Sequence, residues 1–195
     1  ARAERIKDEE GGLPARLYTR CAIDDAERHE YFTRMGFDDF DGVELFVLNV
    51  PQDLSLRRRN YSPVGTKSID VDLRTRTRRE EFLLGLKEFG CVEHASEWLE
   101  ERMRGPVFTA KAMYFGSDYV GSMLVTGTQA EAVLEMICVE QKWRGRGVAS
   151  ALVDEALVQL SKQQVPHIVA RAVRRNASAM KFFKRSGFDW VRTEE

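Results

Sequence analysis

Cysteine is scarce in this sequence: Cys21, Cys91 and Cys138 are the only three in 195 residues. No motif pairs them, so a disulfide-framed secreted scaffold is not expected and a reducing cytoplasm is. Cys91 and His94 have a ligand-like spacing, but no second pair accompanies them and His29 and His167 are scattered, so no metal site is expected. No apolar run reaches the length of a membrane span and no signal peptide opens the chain, which argues against a membrane partner. The first residue is Ala1, which points to a processed or trimmed N-terminus. An excess of one charge is also missing. The formal net charge is −1, so general attraction to nucleic acid or an anionic membrane is not expected. The basic runs Arg74-Thr-Arg-Thr-Arg-Arg79 and Arg57-Arg58-Arg59 lack interleaved aromatics and read as solvated segments.

What is present suffices for a real core. Hydrophobic residues make up 43% of the chain and charged residues 31%, the balance of one globular domain or slightly more. Thr66 to Leu73 reads as a strand, Arg78 to Phe89 as a helix, and Ser96 to Met103 as a second helix capped by Ser96. Phe108 to Phe115 and Tyr119 to Thr126 read as a hairpin around Gly116-Ser117-Asp118. Ala132 to Val139 is a buried strand by its branched residues. Ala149, Leu152, Val153, Ala156, Leu157 and Leu160 recur at helical spacing up to about Lys162. His167 to Val173 is a further strand, and Asn176 to Arg185 a short helix.

Between the buried strand and the amphipathic helix lies Gln141-Lys-Trp-Arg144-Gly145-Arg146-Gly147-Val148-Ala149-Ser150. Free amides at a helix start face outward, the helix dipole adds partial positive charge, and glycines let the chain curl round an anion. Arg144 and Arg146 can add charge-assisted hydrogen bonds. The stretch suits a diphosphate. It is not a nucleotide-triphosphate loop, because no Gly-Lys-Ser/Thr follows, and it lacks the three spaced glycines of a dinucleotide fold.

These residues resemble the GNAT superfamily of acetyl-CoA-dependent N-acyltransferases. Its motif Arg/Gln-x-x-Gly-x-Gly/Ala is matched by Arg144, Gly147 and Ala149, and its preceding strand-end tripeptide by Ile137-Cys138-Val139. Its Asn-x-x-Ala motif, followed by an aromatic and Gly-Phe, is matched by Asn176, Ala179, Phe183, Gly187 and Phe188. The resemblance covers roughly Lys67 to Val191. It implies an α/β (α+β) fold with a central mixed sheet flanked by helices, and an acetyl-CoA site formed by Ile137, Cys138, Val139, Arg144, Gly145, Arg146, Gly147, Val148, Ala149, Ser150, Asn176 and Phe183.

The chemistry then needs a base, because a primary ammonium with a pKa near 10.4 is almost wholly protonated at pH 7. Glu135, in the strand that lines the acetyl group in this family, is the leading candidate, with Glu131 and Glu140 behind it. The family's strand bulges and splays near the position of Ile137 to Val139, where a backbone amide would stabilise the thioester oxyanion. One departure stands out. The family's frequent tyrosine, thought to protonate the leaving thiolate, falls at Phe183, which has no proton to give; water, Ser178 or Tyr114 are the substitutes considered.

The first residues hold an internal repeat. Leu13-Pro14 followed by Ala15 to Arg20 parallels Val165-Pro166 followed by His167 to Arg171, and Asp25 to Asp38 parallels Asn176 to Asp189. The expected organisation is therefore a partial GNAT-like repeat at 1–50 with no cofactor site, a linker at 51–66, and the acyl-CoA-binding domain at 67–195. Little chain follows Phe188, so the last strand of the second copy is short, or is replaced by a neighbour such as Val43 to Val50. The expected function is acetyl transfer from acetyl-CoA to a small-molecule or peptide primary amine by direct attack. The alternatives are a silent acyl-CoA-binding or interaction module and a protein lysine or N-terminal acetyltransferase. A homodimer stays open.

Overall fold

The computed structural model describes residues 26–35, 43–52, 63–88, 96–174 and 176–194. The chain divides into two compact units, Ala1–Gly42 with Glu194–Glu195, and Val43–Thr193. In the first, helix α1 (Ala26–Arg34) carries an Arg34–Glu30 ion pair one turn apart. It falls where the repeat predicts a helix; Leu13 to Arg20 and Gly36 to Asp38 lie outside the described residues.

The second unit is built on seven strands: β1 (Val43–Asn49), β2 (Thr66–Asp70), β3 (Val107–Phe115), β4 (Asp118–Gly127), β5 (Ala132–Val139), β6 (His167–Val173) and β7 (Asp189–Glu194). Its helices are α2 (Arg76–Glu88), α3 (Ser96–Met103), α4 (Val148–Lys162) and α5 (Ala177–Arg185). The sheet order is β2-β3-β4-β5-β6-β1-β7. Neighbours from β2 to β5 pair antiparallel, β5 and β6 parallel, and β6 and β1 antiparallel, giving the mixed sheet expected.

Each sheet face has its own helical cover. On one side the apolar stripe of α4 (Val148, Ala151, Leu152, Ala156, Leu157, Leu160) packs with Phe183 of α5 against Met123, Val125, Leu134 and Ile168. On the other, Leu83 of α2 and Leu99 of α3 pack against Ala110, Leu124, Met136 and Cys138. Burying a residue such as Leu152 or Leu99, both 0% exposed, stabilises the fold by roughly 1.5–3 kcal/mol. The helix spacing read from the sequence is this burial seen in one dimension. Among the described residues, no helix is long and apolar enough to cross a membrane.

The strand assigned by the repeat to the first segment sits inside this sheet. β1 pairs with β6 along its whole length, from Val43 opposite Val173 to Asn49 opposite His167, and lies between β6 and β7. Its Phe46 is fully buried, 5.3 Å from the ring of Phe183. Val43–Asn49 and the strand after Phe188 therefore complete one sheet together. The second compact unit begins at Val43. One correction concerns cysteine. Cys138 is disulfide-bonded, which removes the argument for a reducing compartment from unpaired thiols.

A buried carboxylate fixes β1 in place. Glu44, 4% exposed, accepts from Trp190 Nε1 at 2.6 Å, Arg174 Nε at 2.6 Å and Thr193 Oγ1 at 3.0 Å. The Trp190 and Arg174 hydrogen bonds outweigh burial and hold its pKa below 4.5. Such a group contributes stability that is complete above its unfolded value and lost as the pH falls through the folded one. Glu44→Gln is expected to cost about 1–3 kcal/mol at pH 7, because three donors lose the buried charged acceptor they share. In urea unfolding as a function of pH, the gap between variant and wild type should close below about pH 4.5.

Candidate active site

Strand β5 changes character halfway. Its register against β4 runs Gly121–Val139, Ser122–Cys138, Met123–Ile137 and Leu124–Met136, then jumps to Val125–Leu134. Glu135 is the extra residue, a β-bulge. Side chains alternate across a strand, so one inserted residue exchanges the two faces. Ala132 and Leu134 belong to the core under α4, whereas Met136 and Cys138 belong to the core under α2 and α3. Ile137 and Val139 now pack on the α4 side. The bulge was expected near Ile137 to Val139; it lies earlier, at Glu135.

The other edge of β5 opens at the same place. Pairing with β6 covers only Ala132–Ile168, Val133–Val169 and Leu134–Ala170. β6 continues to Val173, held on its far side by β1. From Glu135 to Val139 the β5 edge toward β6 has no ladder partner among the described residues; the Val139 carbonyl accepts from Arg144 Nε, and the rest of this edge is open to pairing with another chain-like molecule.

Glycine is required opposite the far end of β5. A Cβ built on Gly121 would stand 2.6 Å from the Cys138 carbonyl oxygen and 3.2 Å from Val148 Cγ1. Close approach of β4, the end of β5 and the first residue of α4 therefore depends on Gly121 having no side chain. After Val139 the chain makes a single 3₁₀ turn, Gln141–Trp143, with the Glu140 amide still bonded to the Val120 carbonyl at 2.9 Å. Gly145 and Gly147 follow with φ of 75° and 88°, values that favour glycine, and a Cβ on either would meet nothing within 4 Å. Helix α4 starts at Val148 with no side-chain cap on its amides. The residues present fit a diphosphate: an uncapped helix start, open space beside two left-handed glycines, and exposed arginines on the same turn.

The arginines are not idle in this state. Arg144 donates Nε to the Val139 carbonyl at 3.0 Å, bracing the strand end against the turn. Arg146 lies 5.2 Å over the Trp143 ring, which itself meets Phe115 at 5.3 Å. Both remain on exposed positions. Val148 is buried, and Ala149 and Ser150 are half-buried.

Glu135 faces α3. Its Oε1 accepts from Arg102 Nε at 3.0 Å and from Thr126 Oγ1 at 2.6 Å, and its side chain is 17% exposed. The alternative carboxylates sit elsewhere. Glu131 pairs with His167 at 3.2 Å at the start of β5, and Glu140 pairs with Lys142 at 3.2 Å in the turn. Asn176 caps α5, accepting from the Ala179 amide at 3.0 Å. Phe183 is 4% exposed and surrounded by Phe46, Phe182 and Phe188, a core position. Of the proposed acid substitutes, Ser178 is exposed on α5, and Tyr114 stands edge-on to Tyr119 at 6.0 Å.

Three residues near this site carry no motif. Arg102 and Thr126 reach Glu135 from 33 residues and 9 residues away in sequence. Tyr119 donates to Ser122 Oγ at 2.6 Å, and burial pushes its phenol up to about 12, so it keeps its proton at neutral pH. The acidic first turn and Ser96 cap marked α3 as a helix, but only tertiary contact makes Arg102 part of the site.

The family profile of the acetyltransferase (GNAT) domain matches residues 75–195, more than half of the chain. The chain belongs to the GNAT acetyltransferase family. Among solved structures it resembles a tandem GNAT protein from the clavulanic acid biosynthesis pathway, with a TM-score of 0.60 and 18% identity over 87% of this chain and 58% of that one. It also resembles a functionally unknown conserved protein from Staphylococcus epidermidis, with a TM-score of 0.58 and 15% identity over 87% and 65%. Ard1 from Thermoplasma volcanium aligns with a TM-score of 0.56 and 19% identity over 66% and 86%. This GNAT chain thus spans less than two thirds of the first two. No curated protein matches it at a significant level.

Gly121→Ala tests the close approach directly. The added methyl meets backbone, which cannot rotate away, so a loss of about 1–3 kcal/mol in denaturant unfolding is expected. A neutral effect would show that β4 and β5 are not held this close.

Proposed function

We propose that this GNAT chain transfers an acetyl group from acetyl-CoA to a primary amine. The observation that carries the reading is the bulge at Glu135, which sets a carboxylate where the β5 edge comes free of β6, upstream of an uncapped glycine turn. The turn from Arg144 to Ser150 would hold the diphosphate by helix-start amides and the two guanidinium groups. The free β5 edge, from Glu135 to Val139, would pair with the amides of the pantetheine arm. Bound there, acetyl-CoA supplies a thioester, an acyl carbon already open to attack.

The chain's own task is to manage protons and charge. Glu135 takes a proton from the acceptor ammonium, directly or through water, and thereby exposes the nitrogen lone pair. Its Oε1 is held by Arg102 and Thr126, so proton acceptance falls to Oε2. A backbone amide of the Ile137 to Val139 segment stabilises the developing oxyanion. In the transfer the C–N bond forms and the C–S bond breaks, while the sulfur accepts the proton that the nitrogen gives up. Phe183 supplies none, and a thiol with a pKa near 8.5 leaves tolerably as its anion.

A second reading has one observation in its favour. Phe183 is buried core rather than an exposed donor, which suits a silent acyl-CoA-binding module. Turnover separates the two. With acetyl-CoA and a panel of small amines and peptides, release of free thiol is expected, and Glu135→Gln should lower kcat about 10²–10⁴-fold. Saturable acetyl-CoA binding with no thiol release across the panel would establish the silent module. An unchanged rate in Glu135→Gln would remove Glu135 as the base. Replacing both Arg144 and Arg146 by Gln should weaken acetyl-CoA binding at least tenfold by titration calorimetry, at about 1.4 kcal/mol for each factor of ten.

A further inference from the structure

Arg102, the partner of Glu135, has bonding capacity that the reaction above leaves unused. Arg102, in the last turn of α3, spends its Nε on Glu135 Oε1 and lays its guanidinium 5.3 Å from the Trp98 ring centroid. Its two terminal amino groups have no partner among the described residues, and neither does Glu135 Oε2. The side chains are 38% and 17% exposed, so molecules from solvent can reach both. An arginine pinned at Nε and stacked on an indole keeps its remaining donors in a fixed plane, the fork that matches a carboxylate. A cationic fork thus lies beside an anionic oxygen, each with an open valence.

Stability does not explain the arrangement. Leu99, fully buried, already anchors α3 to the sheet, and a partly exposed ion pair adds only about 0–1 kcal/mol. Charge does explain it. The pair is neutral overall, so a simple alkylamine or a polycation gains from Glu135 only what it loses to Arg102. A zwitterion satisfies both groups at once, its ammonium on Glu135 Oε2 and its carboxylate on the Arg102 fork.

We infer that the acceptor is an amine bearing a carboxylate on the same or the adjacent carbon, the α-amino acid class, with Arg102 as its carboxylate-binding residue. The inference rests on the acyltransferase reading above and narrows its acceptor. It predicts discrimination against lysine side chains in proteins, whose ammonium groups have no carboxylate beside them.

The test uses the full 195-residue chain with acetyl-CoA and acceptor pairs differing only in the carboxylate, such as phenylalanine against phenethylamine. The carboxylated member is expected to have a kcat/KM at least about tenfold higher, a difference within reach of one well-placed ion pair. Arg102→Gln also frees Glu135 Oε1, so it should lower kcat/KM for both acceptors, but about 10–100-fold more for the amino acid than for the decarboxylated amine, the excess appearing chiefly in KM. Arg102→Lys should recover only part of the loss, because an ammonium lacks the planar fork. Equal losses for both acceptors would reduce Arg102 to a positioning residue for Glu135 and overturn the assignment. Preference for the simple amine, or for a lysine peptide, would overturn it while leaving the acyltransferase reading intact. Acetyl-CoA binding with no turnover of any amino acid would overturn it too, whereas absence of acetyl-CoA binding would strike the underlying reading itself. Matching circular dichroism and thermal melts for wild type and variants separate these outcomes from misfolding.

Discussion

Everything around the candidate site follows from one extra residue in a strand. A β-strand has a side-chain period of two, so an insertion at Glu135 exchanges the faces of all that follows. Before it, β5 feeds the core under α4; after it, the even-numbered residues feed the core under α2 and α3. Pairing to β6 ends beside the same residue. A single register event therefore orients the carboxylate and frees the backbone edge beside it.

The strands on either side of this open edge are held by distant parts of the chain. Gly121 lets β4 press against the end of β5, which sets the starting point of α4. On the other side β6 pairs with β5 over three residues and with β1 over seven. The Glu44 carboxylate ties β1 to Trp190 and Thr193 of β7, and to Arg174 just after β6. A strand from before residue 50 thus supports β6, beside a site whose recognisable motifs all lie beyond residue 130. The GNAT profile begins at residue 75 and does not contain that strand.

Much of this was legible from the residues. The apolar stripe of α4, the branched run of β5 and the Gly116-Ser117 hairpin each read correctly, because local periodicity is what burial selects. The glycine turn was legible as well: Gly145 and Gly147 do adopt left-handed conformations. Other features were not. The bulge was expected two to four residues too late, since register is a relation between two strands and is carried by neither alone. The motif did not show that Phe183 would be enclosed by three aromatic rings, one of them brought in by β1. The cysteines suggested no bond, yet Cys138 is disulfide-bonded, because pairing of thiols depends on spatial approach rather than spacing.

By itself, the sequence determined the order of strands and helices, the uncapped glycine-rich start of α4 and the identity of the family. These depend on local patterning: periodic burial, glycine conformation and free amides at a helix end. Only the tertiary structure decided that β1 stands between β6 and β7, that Glu135 occupies a bulge, and that Arg102 and Thr126 hold one of its oxygens. Those facts arise from pairing registers and from contacts between residues far apart in the chain, which spacing along one strand or helix does not encode.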